Sequence, residues 1–312
     1  MSKKWKIAFC GLGSIGSRHL KNISEILGMR HECFTIDWIR STDREKPEEI
    51  ESLINNTYSY LDDIDDDYDI IFVTNSTFMH CDTIEKYQWK TKALFIEKPI
   101  FASDSERLNV INPNCIFYVA CPVRYKKVIQ HIKNNIDPTN VLSAIAICSS
   151  YLPEWRKEID YRQCYSSIKN KGGGVSLDLI HELDYLSYLF GDVRKIYNIR
   201  DHVSSLEIDS DDISVYIAKL NQAVVQVHLD YFGRKDIRKL MIFTHEDTIE
   251  VDLLSNSISY LKSGKCIEFE ETRDDFQKAE LLFFFAIIDG KQKNTNDLNK
   301  AYKLLKNTFG RK

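Results

Sequence analysis

The chain has 312 residues, 43% hydrophobic and 28% charged, the balance of a globular protein with enough apolar material for two cores. Its net charge of −4 excludes a basic field that would hold nucleic acid or anionic lipid without specificity. No run approaches the roughly 18 apolar residues that span a bilayer, and the eight scattered cysteines fit neither a disulfide framework nor a zinc site, so a cytoplasmic protein with reduced thiols and no metal is expected.

Residues 5–10 read as a strand, and Gly11-Leu12-Gly13-Ser14-Ile15-Gly16 follows at once. Residues 17–27 then have helical spacing, with Leu20, Ile23 and Leu27 on one side. A G-x-G-x-x-G string between a strand and a helix is the context of a dinucleotide loop. The first glycine permits the turn, the second lets a pyrophosphate approach, and the third lets helix and strand pack. Gly11, Gly13, Ser14, Ile15 and Gly16 are therefore candidate cofactor contacts.

The next strand lies in residues 32–39, and its end should choose between NAD and NADP. Asp37 lies near the spacing of a carboxylate that binds a ribose 2′-hydroxyl. Arg40, Ser41 and Thr42 would instead suit a 2′-phosphate. Both cofactors stay open, with the balance toward NADP. Residues 69–74 form an unbroken apolar strand ending in Asn75-Ser76-Thr77, with His80 opening a helix. Residues at that strand end lie over the cofactor crevice. Residues 93–96 form another strand ending in Glu97-Lys98-Pro99. Pro99 biases Lys98 toward an extended conformation, giving either an exposed turn or an ammonium projecting into the crevice. With residues 116–120 the alternation predicts a doubly wound parallel sheet over residues 1–121.

Residues 122–312 read differently. Residues 141–149, 211–220, 223–231, 239–244 and 248–253 have strand character, which predicts an α+β domain with a largely antiparallel open sheet. Ile213, Val215 and Ile217 are expected on its packed side, while Gln226, His228 and Asp230 lie opposite Val225, Val227 and Leu229. Residues 151–167 are rich in aromatics and arginine. They form either a lid bringing Trp155, Arg156, Tyr161, Arg162 and Tyr165 to a polar substrate or an oligomer contact. Gly172-Gly173-Gly174 leads into a helical pattern with Leu179, Leu183, Leu186 and Phe190 on one side and Asp178, His181 and Tyr185 on another. That polar stripe is either solvated surface or a functional face. Residues 276–288 and 298–309 close the chain as helices, with Phe283, Phe284 and Phe285 in a core or interface.

Taken together, residues 11–16, Asn75-Ser76-Thr77 with His80, Glu97-Lys98-Pro99, Arg124-Tyr125 and residues 172–191 resemble the Gfo/Idh/MocA family, the relatives of glucose–fructose oxidoreductase and inositol dehydrogenase. Residues 151–156 and 160–166, followed by the three glycines, resemble a branch often met among sugar-modifying and surface-polysaccharide enzymes. The resemblance implies a lysine near the nicotinamide at Lys98, before a bond to Pro99 that is often cis. It implies Glu97 in the cofactor site, a general acid/base at His181 and a supporting carboxylate at Asp178. The family aspartate commonly stands four residues before the histidine rather than three, and proline and asparagine often stand where Ser76 and Pro122 do here. The implied activity is NAD(P)-dependent hydride transfer at a secondary hydroxyl or ketone of a sugar, cyclitol or nucleotide-linked sugar. The implied assembly is a homodimer or homotetramer through the C-terminal sheet. Redox-neutral turnover with tightly held cofactor and a non-catalytic nucleotide sensor are the alternatives.

Overall fold

A computed structural model describes residues 4–40 and 48–310. Ser41 and Thr42 lie outside the described residues. The chain divides into two compact units, residues 1–120 with 273–302 and residues 121–272 with 303–312.

The first unit holds six strands, β1 Lys4–Cys10, β2 Cys33–Arg40, β3 Asn56–Ser59, β4 Tyr68–Val73, β5 Thr91–Ile96 and β6 Ile116–Val119. They pair in parallel in the order β3-β2-β1-β4-β5-β6. All six residues of β4 are buried, as a strand covered on both faces requires. Phe9 stacks on Phe72 at 4.4 Å, and Phe72 meets Phe95 at 5.0 Å, so aromatic rings tie β1, β4 and β5 together. The helices α1 Ser14–Met29, α2 Glu48–Glu51 and α3 His80–Tyr87 lie between the strands in sequence. The order reverses between β1 and β4, the place where ligands bind in such sheets.

The second unit contains α4 Lys127–Asn135, α5 Val175–Asp178 and α6 His181–Phe190 beside eight strands. These are β7 Val141–Tyr151, β8 Val193–Asp201, β9 Ile213–Leu220, β10 Val224–Asp230, β11 Phe232–Thr244, β12 Thr248–Asp252, β13 Ser257–Tyr260 and β14 Cys266–Glu268. Their order is β14-β13-β12-β11-β7-β10-β9-β8, with β7 and β10 parallel and every other pair antiparallel. Val225, Val227, Leu229, Leu240 and Ile242 share a core with Leu183, Leu186 and Leu189 of α6. On β9 the packed residues are Tyr216, Ala218 and Leu220, whereas Ile217 is 54% exposed. The expected inward face of Ile213, Val215 and Ile217 is thus the outward one. Apolar alternation fixed which residues share a face but not which face is covered, because Tyr216 buries its ring while its hydroxyl donates to the Thr308 carbonyl at 2.9 Å.

After these strands come α7 Arg273–Ile288 and α8 Leu298–Thr308. Residues 273–302 return to the first unit rather than continuing the second, a departure from two consecutive domains. The physical reason lies in aromatic packing: Phe285 meets Trp5 at 5.0 Å and Phe284 meets Phe95 at 5.3 Å. Phe284 and Phe285 are fully buried, in line with the expected core role of that aromatic run. No helix among the described residues is long and apolar enough to cross a membrane.

Candidate functional site

In the first unit the site is built at the carboxyl ends of β1 and β4. Gly11 has φ +95°, and a Cβ there would stand 2.7 Å from Asn75 Cα. A Cβ on Gly16 would stand 2.4 Å from the Gly11 carbonyl, which also accepts a 2.6 Å bond from Thr74 Oγ1. Both glycines are therefore required by the protein's own packing. Gly13 differs, since a Cβ there would meet nothing within 4 Å. Its open side faces away from the protein at the N-cap of a 16-residue helix that has no side-chain cap and no acid in its first turn. Such a terminus leaves N–H groups and positive dipole for an anion. Nearby, Asn75 Nδ2 donates to Thr83 Oγ1 at 2.8 Å, while its buried Oδ1 has no partner among the described residues. The open cradle, the uncapped terminus and the orphaned oxygen fit a dinucleotide. Ser14 and Ser76 are exposed and Ile15 is half-buried along this rim.

Asp37 takes a different part from the expected ribose contact. It is buried inside β2, where Oδ1 accepts from Asn56 Nδ2 at 2.9 Å and Oδ2 from the Tyr68 hydroxyl at 2.7 Å. Its carboxylate is committed to joining β2 to β3 and β4. Burial and the Asp37 charge push the Tyr68 phenol far above its ordinary range. Arg40 is the last residue of β2.

His80 is likewise a framework residue. Its buried ring places Nδ1 at 3.1 Å from the Pro99 carbonyl and 3.2 Å from that of Ile100, and Nε2 at 3.2 Å from that of Asn75. It holds together the two loops expected over the cofactor, and no ring nitrogen is left to contact one. Burial lowers its pKa, although the surrounding carbonyls favour the protonated ring. Glu97 is buried, with Oε1 at 2.6 Å from His19 Nε2 and Oε2 accepting from the Lys98 amide at 3.2 Å. Burial alone would raise the Glu97 pKa, but His19 and Lys98 hold the carboxyl below its usual range. Its expected cofactor contact is replaced by support from α1 beneath Lys98. The Lys98–Pro99 bond is cis, and Lys98 is half-buried. His19 escaped the sequence reading because a histidine inside a helical repeat carries no signal of a partner 78 residues away.

In the second unit Gly173 and Gly174 serve close packing, while Gly172, at φ +80°, ends the preceding turn. A Cβ on Gly173 would stand 2.2 Å from the Tyr165 carbonyl, and one on Gly174, at φ +122°, would stand 2.3 Å from Asp211 Oδ1. Asp211 Oδ2 also accepts from the Ser176 amide at 2.9 Å. What approaches Gly174 is a carboxylate of this chain, and what approaches Gly173 is the backbone carbonyls of the preceding segment. The helix that follows is broken: α5 ends at Asp178, Leu179 has φ −99° and ψ 23°, and α6 begins at His181. Asp178 and His181 therefore stand on separate elements, and counting along one continuous helix does not apply.

Asp178 is buried and accepts a 2.5 Å bond from the Tyr231 hydroxyl. Burial together with the Asp178 charge raises the Tyr231 pKa well above its ordinary value. The Asp178 charge, followed by burial and a direct hydrogen bond, does the same to Tyr165. Two phenols from distant segments thus converge on one carboxylate. Tyr231 was missed because a tyrosine closing an apolar strand reads as core. His181 is half-buried at the start of α6. Behind it, Arg238 Nε and Nη2 fork the buried Glu182 at 2.9 and 2.5 Å, and Arg124 Nε and Nη2 reach Asp184 at 2.7 and 2.5 Å. Each buried carboxylate is therefore compensated, without which it would cost about 3–5 kcal/mol. Tyr185, placed by its spacing on the polar stripe and so a candidate substrate contact, is instead fully buried in the core cluster.

The aromatic segment after β7 sorts its residues. The Trp155 ring meets the Tyr231 edge at 5.2 Å and its Nε1 donates to Ser150 Oγ at 2.9 Å. Arg156 lies 5.8 Å from the Tyr165 ring. Arg162 is bound by Asp160 at 2.9 Å and Glu207 at 3.1 Å, so its charge is already answered. Tyr161 accepts from the Glu207 amide at 3.2 Å. No group of three or more His, Cys, Asp or Glu side chains among the described residues could hold a metal ion.

A parallel sheet of this order, with an open glycine cradle at its switch point, defines a dinucleotide-binding unit of the Rossmann type. Residues 5–111 match the family model described as GFO_IDH_MocA, oxidoreductase family, NAD-binding Rossmann fold, and that segment is similar to this family. It is 29% identical over 208 residues to the uncharacterized oxidoreductase YrbE of Bacillus subtilis (strain 168). That match spans 63% of this chain and 57% of the length of the relative. Levoglucosan dehydrogenase in complex with NADH is similar in fold, with TM-score 0.80 and 14% identity over 98% of this chain and 95% of the other. So is the WlbA dehydrogenase from Bordetella pertussis in complex with NADH and UDP-GlcNAcA, with TM-score 0.73 and 14% identity over 97% and 94%.

Proposed function

We propose that the chain is a nicotinamide-dependent oxidoreductase acting at a secondary hydroxyl or ketone of a sugar, cyclitol or nucleotide-linked sugar. The observation that carries this reading is the open Gly13 cradle at the uncapped start of α1. Similarity to a levoglucosan dehydrogenase and to a dehydrogenase crystallised with a nucleotide sugar supports the substrate class. The bound nicotinamide would supply the hydride acceptor or donor.

The chain's own residues would then move one proton and place one oxygen. His181 is the acid/base, an imidazole being able both to take and to return a proton. Lys98 donates to the reacting oxygen and polarises it. Asp178 holds the substrate or the proton-transfer group in register, fixed by its bond from Tyr231. Asn75 holds the nicotinamide end through its unpartnered Oδ1. Arg40, closing β2 where Asp37 is already committed, takes a 2′-phosphate, which favours NADP over NAD.

The exposed sheet face contributes the assembly. Tyr197, Ile199 and Ile217 are 57%, 72% and 54% exposed on adjoining strands, an apolar patch of the kind a second copy covers. The function is tested by the change in nicotinamide absorbance when sugars are added, compared between the wild type and His181→Ala.

A further inference from the structure

We propose that Arg156 and Arg234 form an anion subsite in the second unit, so that the substrate is a sugar carrying a phosphate or carboxylate. This rests on the sugar-oxidoreductase reading above and narrows its substrate class.

The arginines of this unit divide sharply. Arg124 is held by Asp184, Arg162 by Asp160 and Glu207, Arg194 by Asn221, Arg200 by Asp211 at 3.9 Å, and Arg238 by Glu182. Arg156 and Arg234 have no ion pair among the described residues, although Glu154, Glu158 and Asp236 are close to them in sequence. Each instead lies over a tyrosine ring, Arg156 at 5.8 Å from Tyr165 and Arg234 at 4.0 Å from Tyr151. Stacking restrains a guanidinium while leaving its N–H fork open, which lowers the entropy lost when an oxyanion is gripped.

The two come from distant segments that the fold joins. The Leu152 amide donates to the Tyr231 carbonyl at 2.9 Å, and Tyr151 is paired with Phe232 across β7 and β11. Arg234 lies in the irregular stretch of β11 between Phe232 and Ile237, where the register against β7 shifts. Trp155, directly before Arg156, packs on Tyr231, whose hydroxyl holds Asp178. One continuous chain of contacts therefore leads from the proposed substrate carboxylate Asp178 to both guanidinium groups. Trp155 is 38% exposed and offers a face for a sugar ring or base beside them. Answered arginines here would have been scaffold; each of these two, lying on a tyrosine face, keeps its N–H fork open to an oxyanion.

The test is calorimetric titration of the full chain saturated with NADH or NADPH, using UDP-glucuronate, UDP-glucose, glucuronate and glucose as probes. The expected result is binding of an anionic probe about tenfold or more tighter than glucose, the scale of a charge-assisted hydrogen bond. Arg156→Met and Arg234→Met should each remove most of that preference and leave glucose binding unchanged, and added salt should weaken only the anionic probes. Preference for UDP-glucose identifies the phosphates as the anion, and preference for glucuronate over glucose identifies the carboxylate. Equal binding of charged and neutral probes, or a preference that survives in the double variant, overturns the subsite. Failure of NADH and NADPH to bind at all would instead overturn the parent reading. Retained glucose binding separates loss of the subsite from loss of the fold.

Discussion

The hydroxyl of Tyr231 donates to Asp178 at 2.5 Å, joining the end of the β10 segment to the last residue of α5. A buried carboxylate needs such donors, because leaving one unmatched costs more than the bond itself contributes. Tyr165 supplies a second phenol to the same group. Tyr231→Phe keeps the ring and removes the donor, so it should destabilise the protein by about 1–3 kcal/mol in urea unfolding. An unchanged unfolding midpoint would mean that Asp178 does not depend on this bond.

The three glycines of the N-terminal loop should separate into two kinds. Gly16→Ala drives a methyl against the Gly11 carbonyl and Thr74, and should cost about 1–3 kcal/mol of stability without any ligand present. Gly13→Ala meets no protein atom within 4 Å and should cost no more than about 1 kcal/mol. It should nonetheless weaken NADH binding about tenfold or more, because the pyrophosphate needs that space. Fluorescence titration of NADH beside thermal unfolding reads both effects, and equal NADH affinity in Gly13→Ala and wild type would contradict the cradle.

Arg40 and Asp37 should exchange the parts that spacing alone would assign. Arg40→Ala should weaken NADPH binding about tenfold while leaving NADH binding unchanged. Asp37→Asn opposes a donor to Tyr68 or Asn56 and should cost about 1–3 kcal/mol of stability, with the NADPH to NADH affinity ratio preserved. A ratio that moves with Asp37 and not with Arg40 would reverse the assignment.

The sheet face of the second unit predicts self-association. Ile217→Lys places a charge in the middle of the exposed apolar patch and should shift the protein to a smaller species in sedimentation velocity. A wild type that sediments as a monomer would remove the proposed interface.

The parts of the fold that were legible in the sequence share a local cause. The strand–glycine–helix transition at residues 5–27 and the apolar run of β4 are written in neighbouring residues. The parts that were not legible depend on partners far away in the chain. Asp37 has the spacing of a ribose ligand, but Tyr68, 31 residues on, claims it. Residues 177–190 have the periodicity of one helix, yet Asp211 caps a short first turn and the chain restarts at His181. Lys98 carries no local signal beyond its proline, and the support of Glu97 by His19 appears only when β5 is laid beside α1. Residues 273–288 read as a final helix, but their destination in the first unit is set by Trp5 and Phe95.

The central claim is that His181 transfers the proton in a nicotinamide-dependent reaction of a sugar. Its most direct test is the rate of nicotinamide reduction or oxidation over a panel of free, anionic and nucleotide-linked sugars, measured for the wild type and for His181→Ala at matched cofactor saturation. The account predicts turnover of at least one such sugar by the wild type and a loss of about 10²–10⁴-fold in kcat in the variant, with NAD(P)H affinity retained. Wild-type turnover by His181→Ala, or tight NAD(P)H binding with no turnover across the panel, would contradict it.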